Sequence, residues 1–150
     1  MRSLFASRSR VLAPLAVPLL FLVGCGDGVE YAPVKGSVTN GTEKLTTGTV
    51  RFVPDKDQGN ESTLIPESPI ADDGTYALFT KGVEGAPVGA YKVVVTAQEA
   101  NNAESDSADA YAVPVYLVKE EYTNKESTPL QVEVKSDGGS GDYDLTLEAD

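Results

Sequence analysis

The chain has no histidine, no tryptophan and a single cysteine among its 150 residues. Without histidine it lacks the commonest general base and the commonest transition-metal ligand. A Ser-His-Asp hydrolase triad has no middle member, and no Gly-x-Ser-x-Gly elbow is present. One cysteine excludes an internal disulfide. Cations are scarce as well: 12 Lys and Arg face 23 Asp and Glu, for a net charge of -11. Arg2, Arg8 and Arg10 lie in the first ten positions, and no acid precedes Asp27. The remainder of the chain is therefore strongly acidic. Such a surface repels nucleic acid, which is excluded as a partner, and it repels other copies of itself, so a monomer is expected.

What is present begins with a targeting segment. The three arginines form a positive n-region, and Val11 to Val23 (VLAPLAVPLLFLV) is an apolar stretch interrupted by Pro14 and Pro18. It is too short to span a bilayer comfortably and has the form of a signal-peptide core. It ends in Leu22-Val23-Gly24-Cys25, which resembles the lipobox of bacterial lipoproteins. The resemblance implies that residues 1–24 are removed and that Cys25 is lipidated on sulfur as the new N-terminus. Two or more acyl chains then hold the protein on a membrane, since each buried CH₂ contributes about 0.8 kcal/mol. The expected organisation is a lipoprotein signal peptide over 1–24, a lipidated tether over 25–33 and one domain over 34–150.

The domain reads as β throughout. Val34, Gly36 and Val38 alternate with Lys35, Ser37 and Thr39, and Asn40-Gly41 marks a turn. Thr49 to Val53 is a strand with Val50 and Phe52 on one face, closed by Pro54 and a polar loop over 55–60. Leu64 to Ala71 carries Pro66 and Pro69, which mark an edge or broken strand. Asp73-Gly74 then predicts a hairpin between Ile70-Ala71 and the run from Thr75 to Leu78. The loop Gly85 to Gly89 feeds a β-branched strand, Tyr91 to Val95. Gln98 to Ala110 is acidic, poor in apolar groups, and expected to be a mobile loop. Val113 to Val118 is a bridging segment, and Lys119 to Tyr122 suggests one helical turn. Finally Leu130, Val132 and Val134 alternate with polar residues, as do Tyr143, Leu145 and Leu147. These two runs predict a hairpin through Ser136 to Gly141, with one face on the core and one in water. About seven antiparallel strands separated by turn signals predict an all-β sandwich.

Four pieces carry a further resemblance: Pro33 to Val38, Asp72-Asp73-Gly74-Thr75-Tyr76, Gly85 to Val93, and Tyr122-Thr123-Asn124 through Thr128-Pro129-Leu130. Together they are similar to the carboxypeptidase regulatory-like, or transthyretin-like, domain as carried by small exported lipoproteins of planctomycete type. The resemblance implies a Greek-key, prealbumin-like (Ig-like) sandwich, no catalysis, no cofactor and no known ligand. Related adhesin repeats join a Lys to an Asn. Lys35 occupies a corresponding place, but the last strand, 142–147, offers no Asn.

Chemistry has few candidates. Asp72-Asp73 has the parts for Ca²⁺ binding or an acid/base pair, and equally the parts of a simple turn. Asp137 to Asp142 lacks the alternating acids and terminal Glu of an EF-hand and reads as a hairpin turn. Asp106 and Asp109 offer a weak cation site. Tyr76, Tyr91, Tyr111, Tyr116 and Tyr122 would make a glycan platform if they converged, and core residues otherwise. Asn40-Gly41-Thr42 and Asn60-Glu61-Ser62 are glycosylation sequons. The expected function is that of a lipid-anchored, non-enzymatic envelope protein, a structural or protein-interaction module facing the periplasm or cell exterior. A small-molecule or glycan-binding module and a carboxylate-dependent hydrolase are the alternatives.

Overall fold

The structure is a computed structural model, which describes residues 28–98, 115–137 and 143–149. Residues 1–27, on which the expected signal peptide, the lipobox-like Leu22, Val23 and Gly24, and Cys25 fall, lie outside the described residues. So do 99–110 of the acidic segment, Tyr111, and 138–142, which hold most of the turn expected over Ser136 to Gly141.

The described chain is all-β apart from two 3₁₀ turns, at Lys56–Gln58 and Glu120–Thr123. It forms twelve strand segments, several only two residues long: β1 (Tyr31–Ala32), β2 (Lys35–Asn40), β3 (Glu43–Lys44), β4 (Thr49–Pro54), β5 (Glu67–Pro69), β6 (Thr75–Ala77), β7 (Phe79–Thr80), β8 (Val83–Glu84), β9 (Ala86–Pro87), β10 (Gly89–Thr96), β11 (Gln131–Val134) and β12 (Leu145–Leu147). A six-stranded sheet runs in the order β11-β10-β4-β5-β7-β8. A second sheet centres on β2, with β12 on one edge. Strands β3 and β6 share its other edge, because the Val38 amide donates to Gly74 while the Val38 carbonyl accepts from Leu45. The pair β1-β9 closes one end.

The strands that hold this together are those with the cleanest alternation. On β4 and β10, Phe52 lies opposite Val93 and Val50 opposite Val95, and all four are fully buried. The rings of Tyr91 and Tyr76 pack at tilted angles against Phe52, at 5.7 and 6.4 Å between centroids. Tyr76 belongs to the second sheet, so this contact joins the two. Val38, Leu145 and Leu147 of that sheet share one core cluster with Val50, Phe52, Val93 and Val134 of the first.

Several expectations need correction. Asp73-Gly74 is a tight turn, with the Gly74 amide donating to Ala71 and the Ala71 amide to Thr75. It does not join two paired strands. Strand β5 stays in the six-stranded sheet, whereas β6 pairs with β2. Pro66 and Pro69 are the physical reason, because neither has an N–H to offer a ladder. At this point the Ala77 amide donates instead to the Ser68 hydroxyl, at 3.2 Å. The strand is broken, as expected, but it lies inside its sheet rather than at an edge. One further hairpin, β7-β8, lies between Leu78 and Gly85.

The last two strands do not form a hairpin either. Strand β11 adds to β10, with Val132 opposite Tyr91, and β12 runs parallel to β2, with Leu145 opposite Val38. Alternation asks only that one face be buried, and each run satisfies this in a different sheet. The close approach that β12 needs is made at Gly36, where any Cβ would collide with the carbonyl of Tyr143. The folded unit also starts earlier than residue 34. Tyr31–Ala32 pairs with Ala86–Pro87, and Ala32 is buried in the core. Other readings hold: the Asn40-Gly41 turn, the strands over 35–40, 49–54 and 89–96, and the single helical turn near Tyr122.

Candidate functional site

The outer face of β4 and β10 is the most site-like surface among the described residues. Alternation puts Arg51 and Val53 of β4 outward, opposite Val94 and Lys92 of β10. This face is not bare. The segment around the Glu120–Thr123 turn lies over it, so that Val94 is buried even though it points away from the core. Two adjoining grooves, about 360 and 850 Å³ in volume, share Val53, Ile65, Lys125 and Glu126 as lining. They form one open trough along the strand pair.

Its walls are fixed locally. The side chain of Asp55 accepts from the Asp57 amide at 3.1 Å and caps the first 3₁₀ turn, while the Asp55 amide donates to Ala90. Asn60 donates to the Ala90 carbonyl at 2.8 Å and accepts from the Ser62 amide at 3.1 Å, pinning the loop to the sheet. At the other wall, the Thr128 hydroxyl donates to the Val93 carbonyl at 2.7 Å, deep in the protein. Each wall is thus hydrogen-bonded directly to β10.

The trough gathers Arg51, Lys56, Lys92 and Lys125 together with the acids Asp55, Asp57, Glu120, Glu121 and Glu126. Arg51 pairs with Glu67 at 3.4 Å and Lys125 with Glu126 at 3.5 Å. Among the described residues, no carboxylate lies within 4.0 Å of the Lys56 or Lys92 ammonium group. Ile65 is about half exposed beside them, at 49%. Asp55, Asp57 and Glu126 line the same groove as Lys56, Lys92 and Lys125, so it presents mixed charge beside an apolar side chain.

The residues singled out in the sequence do not converge. Asp73 accepts from the Thr75 hydroxyl at 2.6 Å and the Thr75 amide at 3.0 Å. The hydroxyl first and the amide second hold its carboxyl below the usual aspartate range. Asp72-Asp73 therefore builds a turn. Tyr76, Tyr91 and Tyr122 are core residues, and Tyr116 is exposed by itself. The Tyr76 hydroxyl donates to the Tyr143 carbonyl at 2.5 Å, and burial, with Asp144 nearby, pushes its phenol far above the ordinary value. Burial also raises the Tyr91 phenol, which donates to the Pro87 carbonyl at 2.7 Å. No shared tyrosine platform forms among them. Both sequon asparagines are occupied: Asn60 as above, and Asn40 by donating to the Leu117 carbonyl at 2.9 Å. The Lys35 ammonium group pairs with Glu84 at 2.7 Å. Among the described residues, no three potential metal ligands cluster.

The alternation of β4 and β10 made the floor of the trough legible as an outward face. One wall, from Asp55 to Asp57, follows β4 directly; Ile65 and the segment from Glu120 to Ser127 reach the trough only through tertiary packing. Comparison with protein-family models, curated proteins and solved structures finds no match for this chain.

Proposed function

We propose that the chain is an exported lipoprotein, held on the cell envelope through Cys25, whose domain is a non-enzymatic protein-interaction module. The observation that carries the reading is the run from Arg2 to Cys25: a basic n-region, an apolar stretch and a complete Leu-Val-Gly-Cys tetrapeptide. The fold supports it from the other side, since pairing begins at Tyr31, soon after the cysteine. The single thiol has no disulfide partner and takes a lipid instead. The domain is a Greek-key, prealbumin-like sandwich of the carboxypeptidase regulatory-like kind. Its two sheets sharing one core favour this reading, and its parallel β12 is a departure from the all-antiparallel pattern. The open trough over β4 and β10 is the interaction surface.

The test is Cys25→Ser. The variant should accumulate as an unprocessed or soluble precursor and lose fatty-acid label. If it still fractionates with membranes and carries labelled fatty acid, the lipoprotein reading is wrong.

A small-molecule or glycan ligand is a second reading, favoured by the unpaired Lys56 and Lys92 beside Ile65. A thermal-shift screen of anionic glycans and metabolites separates the two. A stabilising hit abolished by Lys92→Glu would replace the protein-interaction reading with this one.

A further inference from the structure

We infer that the pole of the domain carrying Val29, Tyr31 and Val88 rests against the lipid surface. The inference rests on lipidation of Cys25 and adds to it which face meets the bilayer. The first constraint is reach. Strand β1 is locked to β9, and the Val88 amide donates to the Glu30 carbonyl at 3.0 Å. Only Gly26 to Glu30 separates the lipidated residue from the fold. Fully extended, the six steps from Cys25 to Tyr31 reach about 20 Å.

The second constraint is direction. Strand β2 runs away from this pole toward Asn40, and β10 runs the same way from Gly89 to Thr96. Their far ends meet common partners: Asn40 donates to the Leu117 carbonyl, and the Leu117 amide donates to Ala97. The seven steps along the eight residues of β10, at about 3.3 Å each, set the two poles roughly 23 Å apart.

The third is surface chemistry. Val29 and Val88 are exposed at 41% and 40% beside the Glu30–Val88 hydrogen bond; the far pole exposes Val115 and Tyr116 as well, so reach and direction decide between the poles. Tyr31, half-buried on the same strand pair, adds an aromatic ring of the kind that settles at headgroup level. Asp27 and Glu30 oppose anionic headgroups, so the contact is made best with zwitterionic lipid. The far pole, with the Gly41-Thr42 turn, then faces away from the membrane.

The test uses the mature lipidated protein in phosphatidylcholine vesicles containing a headgroup nitroxide quencher. Val88→Cys and Thr42→Cys each receive a fluorophore, and the acylated Cys25 sulfur leaves the introduced thiol as the only reactive one. The label at position 88 should be quenched several-fold more strongly than that at 42. Adding Val29→Asp to the Val88→Cys protein should reduce the quenching without releasing the protein from vesicles. Equal quenching at 88 and 42 on vesicle-bound protein overturns the orientation and leaves the anchor standing. Protein that fails to float with vesicles overturns the anchor, and the orientation with it.

Discussion

The inner and outer faces of the β4-β10 pair are made by the same two strands, yet they do different work. Inward, Val50, Phe52, Val93 and Val95 are fully buried and bridge to the second sheet through Tyr76. Outward, Arg51, Val53 and Lys92 floor a trough whose walls are loops. The period-2 geometry of a strand separates these roles residue by residue. Stability is concentrated on one face, which leaves the other free to carry charge and to change. The outer face is where the pair carries its charge, at Arg51 and Lys92, away from the core.

The largest effect should come from the inner face. Phe52→Ala empties a site between two aromatic rings and should cost about 3–5 kcal/mol, read as a shift in the denaturant midpoint. The same contrast can be drawn on β12. Leu145→Ala should cost about 2–5 kcal/mol, while Thr146→Ala, exposed between two buried leucines, should stay within about 0.5 kcal/mol of the parent. Equal losses at 145 and 146 would mean that the inner face has been misassigned. On the outer face, Arg51→Ala removes a half-exposed ion pair with Glu67 and should change stability by less than about 0.5 kcal/mol. A loss near that of Phe52→Ala would erase the division of labour.

The smallest effect is at the exposed Asp73. Its folded-state carboxyl titrates below the unfolded value, so its contribution is present above the unfolded pKa and is lost as pH falls through the folded one. An NMR titration should place its midpoint below that of an ordinary aspartate, and Thr75→Ala should move it back up. An unchanged midpoint in that variant would show that the Thr75 hydroxyl is not the cause.

Two turns show how far the sequence could be read. Asn40-Gly41 and Asp73-Gly74 use similar residues, and both glycines take positive φ, at 64° and 80°. The first joins β2 to β3 as a paired hairpin; the second is a corner between sheets. A turn dipeptide reports only the local bend. Which partner each strand finds depends on its flanks, and the prolines at 66 and 69 divert one of these two. The amphipathic runs ending at Val134 and Leu147 were legible as strands, with Val134, Tyr143, Leu145 and Leu147 buried and Leu130 and Val132 partly so. Their partners were not, because alternation is the same whichever sheet a strand joins. Half of the candidate site could be anticipated for the same reason: Arg51 and Lys92 alternate with core residues, whereas Ile65 and Lys125 reach the trough only through tertiary packing.

The claim on which the functional account stands is that the fold hangs from a lipidated Cys25. Mass spectrometry of the N-terminal peptide of the mature protein tests it directly. The account predicts a chain that begins at Cys25, with a diacylglyceryl group on the sulfur. A mature chain that begins elsewhere, or a Cys25 carrying a free thiol, would contradict it.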